Sequence, residues 1–254
     1  MPRYEVTCDS KPTNLLIGVE VRKPSKVIIR IFNPNKPNTY YLDRWQTVQK
    51  HGEFEARMPQ TCDKVIVEIR SVNSNDDNIR ITKLQKTDLV QYAPCISGKA
   101  KSFIKFAQEF CENASILQTG QSYFSNDGKF QIDYFDIIRD GNRAIPTPAR
   151  ISNKNGRIEI SKKHFAGYSV PMRMAILCHE YSHYYENVVT EDETEADLNA
   201  LKIYLGLGYP VIEAHKSFLN VFKNTPTKQN HERYEYLKAF IDNFEDIKYR
   251  LCLP

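Results

Sequence analysis

His179-Glu180-Tyr181-Ser182-His183 sets two imidazoles four residues apart, with a carboxylate beside the first. On a helix such residues lie one turn apart on one face, about 6 Å along the axis, so both rings can reach one metal ion. Glu180 then faces the coordination position left open, where it can act as general base toward a water. This spacing leaves a third ligand to be found. Further on comes Glu193-Thr194-Glu195-Ala196-Asp197-Leu198-Asn199-Ala200-Leu201. In helical phase Glu193 shares a face with Ala196, Asp197, Ala200 and Leu201, which is otherwise small and apolar. Two carboxylates turned inward need a metal, an imidazole or an opposite charge to offset their desolvation. Glu193 as ligand and Asp197 as acceptor for a liganding imidazole satisfy both needs. Glu195, on the other side, reads as solvent-facing. Cys178 is adjacent to His179 and so does not share its face; it reads as core.

The elements that must carry these residues follow from period and punctuation. Val170-Pro171 is a helix start, and Met172, Ala175, Ile176 and Leu177 continue it with helical spacing. Upstream, Ala149–Ser152 and Arg157–Ser161 form a hairpin across Asn153-Lys154-Asn155-Gly156, with Gly supplying a positive φ. Phe130, Ile132 and Tyr134 alternate as a strand, and Phe103, Phe106, Ala107, Phe110, Ala114 and Leu117 recur at helical spacing. From Pro171 onward the chain reads mostly as helices. Val211, Phe218 and Phe222 mark one apolar face; Tyr234, Leu237, Ile241 and Phe244 mark another. Before about residue 90 the period is two. Val27, Ile29 and Ile31 form one run, Val65, Val67 and Ile69 another, and Ile79 and Ile81 a third. Turn-rich stretches (Asn33–Asn38, Asn73–Asp77) separate such runs, which predicts an antiparallel β-sandwich-like domain. No catalytic cluster occurs in it; His51 and Trp45 stand alone. The change at Ala93-Pro94 divides the chain into residues 1–93, a docking domain, and 94–254, which carries the chemistry.

The pair of motifs resembles that of the gluzincin metallopeptidases, whose HExxH helix is followed by a helix bearing ExxAD or ExxxD. It is most similar to the compact minigluzincin type, with a short link between the two helices. The resemblance spans roughly residues 97–245. It implies an α+β fold and a compact zinc peptidase domain. It also implies His179, His183 and Glu193 as Zn2+ ligands, Glu180 as base, and Asp197 behind a ligand. It further implies an edge strand ahead of the HExxH helix that aligns extended peptide, a place that Arg157–Ser161 matches in order. The third His of the metzincin pattern is absent. Some gluzincins set a His, Tyr or Arg from a later helix near the oxyanion. Asn230-His231-Glu232-Arg233 is similar to the HP…R segment of some relatives, without the Pro and with shorter spacing. His231 is therefore the candidate oxyanion donor, with capping or packing as its alternative. Tyr181, Tyr184, Tyr185 and Tyr209 are further candidates, though aromatics at helical spacing are usually core. His164 and His215 read as structural.

The implied activity is zinc-dependent hydrolysis of peptide bonds in a peptide or protein substrate. The chain is also similar, more distantly, to peptidase-like components of tailed-bacteriophage particles, including crAss-like phages. That likeness implies the alternative of a structural component of a virion or other large assembly, such as a neck or tail ring protein. The zinc site would be retained and the N-terminal domain would dock on assembly partners. Intact Glu180 favours activity, since a purely structural zinc needs no base.

Bulk properties narrow the field. Of 254 residues, 41% are hydrophobic and 26% charged, as in an ordinary globular protein. The net charge of +4 is spread along the chain, unlike the concentrated basic stripe of a nucleic-acid groove. No apolar run approaches the ~18 residues of a membrane span. Met1-Pro2-Arg3-Tyr4-Glu5 opens without the apolar segment of a secretory signal, so a cytoplasmic or virion-associated location is expected. Six cysteines form no CxxC pair, against a zinc ribbon or a thioredoxin-like site and in favour of reduced thiols.

Overall fold

Strict alternation builds the first half of the molecule. The strands are β1 (Arg3–Thr7), β2 (Thr13–Val21), β3 (Ser25–Phe32), β4 (Tyr40–Val48), β5 (His51–Met58), β6 (Lys64–Ser71) and β7 (Ile79–Asp88). They form two antiparallel sheets, ordered β1-β6-β3-β4 and β5-β2-β7. Val27, Ile29 and Ile31 of β3 and Val65, Val67 and Ile69 of β6 are all fully buried, while their neighbours in sequence are more exposed, save Glu68, which is buried against Arg3. Hiding one face and wetting the other is how antiparallel sheets enclose a core from one side. Ile79 and Ile81 are only half-buried, because β7 is an edge strand with β2 as its one neighbour.

The computed structural model describes residues 2–36, 38–72, 78–91, 98–189, 191–216 and 227–247. The chain divides into two compact units, residues 1–91 and 92–254. Ala93-Pro94, the Asn73–Asp77 turn, Cys95, Phe218, Phe222 and Cys252 lie outside the described residues.

The second unit mixes helices with a small sheet, so the chain is α+β. Helix α1 (Gly98–Asn113) buries Phe103, Phe106, Ala107 and Phe110. It stops at Asn113, whose side-chain amide donates back to Glu109 O, so Ala114 and Leu117 fall in the following turn. The sheet contains β8 (Gln121–Phe124), β9 (Gln131–Phe135), β12 (Ala149–Ile151) and β13 (Ile158–Ser161), in the order β12-β13-β9-β8. Between β9 and β12, β10 (Arg139–Asp140) and β11 (Arg143–Ala144) make a two-stranded ribbon. Gly156 closes the β12–β13 hairpin at φ +68°, and a Cβ there would collide with the ring of Tyr184 and the hydroxyl of Tyr185.

One expectation is corrected by the pairing. The Arg157–Ser161 strand is not an edge: β13 pairs in parallel with β9 on one side and antiparallel with β12 on the other. The parallel pairing, invisible in a hairpin pattern, moves the free edge one strand outward, to β12.

The helices that follow are α2 (Lys162–Phe165), α3 (Val170–Tyr185), α4 (Glu193–Gly206), α5 (residues 211–216), α6 (Lys228–Asp242) and α7 (Phe244–Ile247). Ser169 caps α3 by accepting from Met172 N, with Pro171 in the first turn where its missing N–H costs nothing. Asp192 caps α4 by accepting from the N–H groups of Thr194 and Glu195 at 2.9 Å. The guanidinium of Arg173 is fully buried and donates to the carbonyls of Cys111 and Ala166, both at 2.6 Å. No described helix is long and apolar enough to cross a membrane.

Candidate metal centre

Helices α3 and α4 meet with their functional residues turned toward each other. His179 and His183 sit one turn apart on α3, and their Nε2 atoms approach to 3.1 Å. Glu193, the first residue of α4, brings Oε2 within 3.6 Å of His179 Nε2 and Oε1 within 3.5 Å of His183 Nε2. Atoms at ~2.0–2.1 Å from one tetrahedral ion lie roughly 3.4 Å apart, so the three side chains are already spaced to share a metal. Two imidazoles, each neutral once it ligates, and a carboxylate suit a borderline divalent cation. Helical phase puts Glu193 on a buried face. Its side chain is in fact 52% exposed, because it opens the helix at the mouth of a cavity.

Asp197 lies one turn further along α4, with no solvent exposure. Its Oδ1 stands 2.8 Å from His179 Nδ1 and its Oδ2 2.5 Å from Arg233 Nε on α6. The carboxylate beside Nδ1 favours a proton there, which leaves Nε2 as the nitrogen presented to an ion. Burial opposes charge on both partners, yet the pairing overcomes it. His179 is raised to about 9 by the Asp197 carboxylate, with Glu180 and Glu193 adding to it. Asp197, despite the burial, is held below its ordinary range by His179 and Arg233. Arg233 reaches a second carboxylate as well, Glu193 Oε2 at 3.0 Å.

Glu180 points into the same cavity, of about 430 Å³, whose walls include Pro148, Ala149 and Ile151 of the β12 stretch, Ile176 of α3 and Glu191 of the link. Burial pushes its carboxyl above the usual range, and Glu193 pushes the same way. The two histidines and the backbone N–H of Ile151 pull against that without reversing it. A carboxylate with a raised pKa beside a potential metal position is equipped to take up and return a proton.

The remaining candidates divide cleanly. His231 is exposed on α6 and does not line this cavity, whereas Arg233, two residues on, does. Tyr181 stacks on Phe103 at 4.2 Å between ring centroids and donates to Glu186, and Tyr209 stacks on Tyr204. The Tyr185 hydroxyl donates to Gly156 O, tying the hairpin to α3. His215 packs edge-on near Tyr234, and Cys178 is buried core. Glu195 is not idle in solvent; it accepts from the N–H groups of Val188 and Val189 and so fixes the link between the two helices. Arg233, and not His231, is the residue of this segment that reaches the site. Its signal was its place one turn before Leu237 and two before Ile241, on the apolar stripe of α6, in a protein whose buried Asp197 needed a cation.

Set against family models, curated proteins and solved structures, the chain matches none of them.

Proposed function

We propose that the chain is a zinc-dependent metallopeptidase of gluzincin type, with His179, His183 and Glu193 as ligands and Glu180 as general base. The observation that carries this reading is the convergence of two imidazoles and a carboxylate at ligand spacing with Glu180 in one cavity. When bound, zinc would supply Lewis acidity, lowering the pKa of a water and polarising a carbonyl.

The chain's own residues supply the rest. Glu180 takes a proton from the attacking water and delivers it to the departing amine, a two-way transfer that suits its raised pKa. Asp197 holds His179 in the tautomer that offers Nε2. No strand among the described residues pairs with the outer edge of β12, and we assign that edge to an extended peptide, which would add as a further strand. The apolar side of the cavity, from Pro148 to Ile176, would receive a substrate side chain. We assign residues 1–91 to docking on a protein partner.

Glu180→Gln is the decisive variant, since it removes the proton acceptor without removing a ligand. The wild type should carry about one zinc per chain and cleave an accepted peptide; the variant should keep the zinc and lose at least about 100-fold in kcat. A wild type free of zinc after purification without chelator refutes the reading, and equal cleavage by the variant refutes the role of Glu180.

A further inference from the structure

A guanidinium on the buried stripe of a helix needs a reason to be there. Arg233 follows the phase of Leu237 and Ile241, which are 1% and 5% exposed, and its side chain is only 11% exposed. Its planar fork spans two carboxylates of α4 one turn apart, Nε on Asp197 and the terminal nitrogen on Glu193. Without a cation between them these carboxylates repel each other and the Glu180 carboxylate nearby. Glu193 in particular, half-exposed on the first residue of its helix, has rotamer freedom that an ion must remove before it can be held. Arg233 removes that freedom in advance. It leaves both oxygens of Glu193 within 3.6 Å of the two imidazole Nε2 atoms. The same fork anchors Asp197, which orients His179.

We propose that Arg233 is a positioning residue that pre-forms the metal centre from α6, and that docking of α6 is thereby linked to metal occupancy. The proposal rests on the metal-site reading above and adds a regulatory handle to it. Linkage makes the coupling reciprocal: the factor by which Arg233 tightens the metal is the factor by which the metal holds α6 down. Whatever pulls α6 away would weaken the centre, and filling the centre would secure α6.

The test uses the full chain and zinc itself. Affinity is read by competition with a chromophoric chelator, and α6 docking by amide exchange over residues 228–242, with and without zinc. Arg233→Met should bind zinc roughly 10–100-fold more weakly, the usual loss when a residue orienting a ligand is removed. Saturating zinc should slow exchange of the wild-type α6 amides by a comparable factor and leave those of Arg233→Met unchanged. Arg233→Lys keeps the charge and the stem without the fork, and should fall between the two. If Arg233→Met fails to fold, Arg233→Lys decides, and wild-type affinity in it overturns the proposal. Unchanged affinity in both variants, or zinc without effect on α6 exchange in the wild type, overturns it as well while leaving the metal-site reading intact. A wild type that takes up no zinc overturns both together.

Discussion

The two units hide apolar residues in the same manner and differ in what they hide beside them. In residues 1–91 the one buried carboxylate or basic group among the described residues is Glu68, paired with Arg3, whose own side chain is 64% exposed. In residues 92–254, Arg173, His183, Asp197 and Glu213 are all buried. Cavity size does not follow chemistry. The first unit has the larger hollow, about 590 Å³, but its walls are the polar ends of strands, including Glu20, Arg22, Lys50 and Arg80. The smaller one holds the histidines. Buried charge, which costs several kcal/mol unless paired, is the better mark of where a fold has been bent toward function.

The contrast breaks most visibly, or fails to, at Asp197. Asp197→Asn removes a buried charge shared by His179 and Arg233 and should destabilise the metal-free chain by about 3–5 kcal/mol in denaturant unfolding. Glu68→Gln, with its partner in water, should cost no more than about 1 kcal/mol. Equal losses would mean that the two units tolerate buried charge alike. A smaller effect is expected at the hairpin. Gly128 and Gly156 both have positive φ, but Gly128 has open space where Gly156 faces Tyr184 and Tyr185. Gly156→Ala should therefore cost about 1–3 kcal/mol more than Gly128→Ala, the usual penalty for overpacking. Smaller again is Ile29→Val in the first core, at about 0.5–1.5 kcal/mol, with zinc content unchanged if chemistry and docking are divided as proposed. The last comparison carries no stability change. Burial pushes Cys178 up to about 12 and Cys111 well above its ordinary value, so both stay protonated below that range. At about pH 8 a thiol reagent should label the partly exposed Cys62 and spare Cys178, as read by peptide mass spectrometry.

Much of this was legible because period reports burial directly. Val27, Ile29 and Ile31 alternate since one face of β3 is dry, and Phe103, Phe106 and Phe110 recur at helical spacing since one side of α1 is dry. Asp197 was legible for the opposite reason, as a charge where the pattern called for an apolar residue. What stayed hidden depends on partners distant in sequence. The parallel pairing of β13 with β9 leaves no local trace, so nothing in the pattern of Arg157–Ser161 tells it from an edge. Arg233 was hidden by a more familiar neighbour: His231 has the chemistry expected of an oxyanion donor, but Arg233 has the helical phase. Ile79 and Ile81 also alternate on a strand, as their period says, but among the described residues β7 has no second neighbour to cover them.

Arg173 imposes a constraint of another kind, on descent. Burial pushes its guanidinium down from the ordinary arginine range, yet it keeps two carbonyls satisfied, Cys111 O in the last turn of α1 and Ala166 O beyond α2. Lysine offers donors from a single nitrogen and cannot span both carbonyls in one plane, and an apolar residue would strand both. Every single substitution at this position therefore leads downhill until the two backbone segments around it have also moved. A lineage that acquires such a residue crosses a threshold it does not easily recross. Diverged descendants of this chain should keep an arginine six positions before the first histidine even where the metal ligands themselves have been lost, which would make position 173 a more durable marker of kinship than the site it supports.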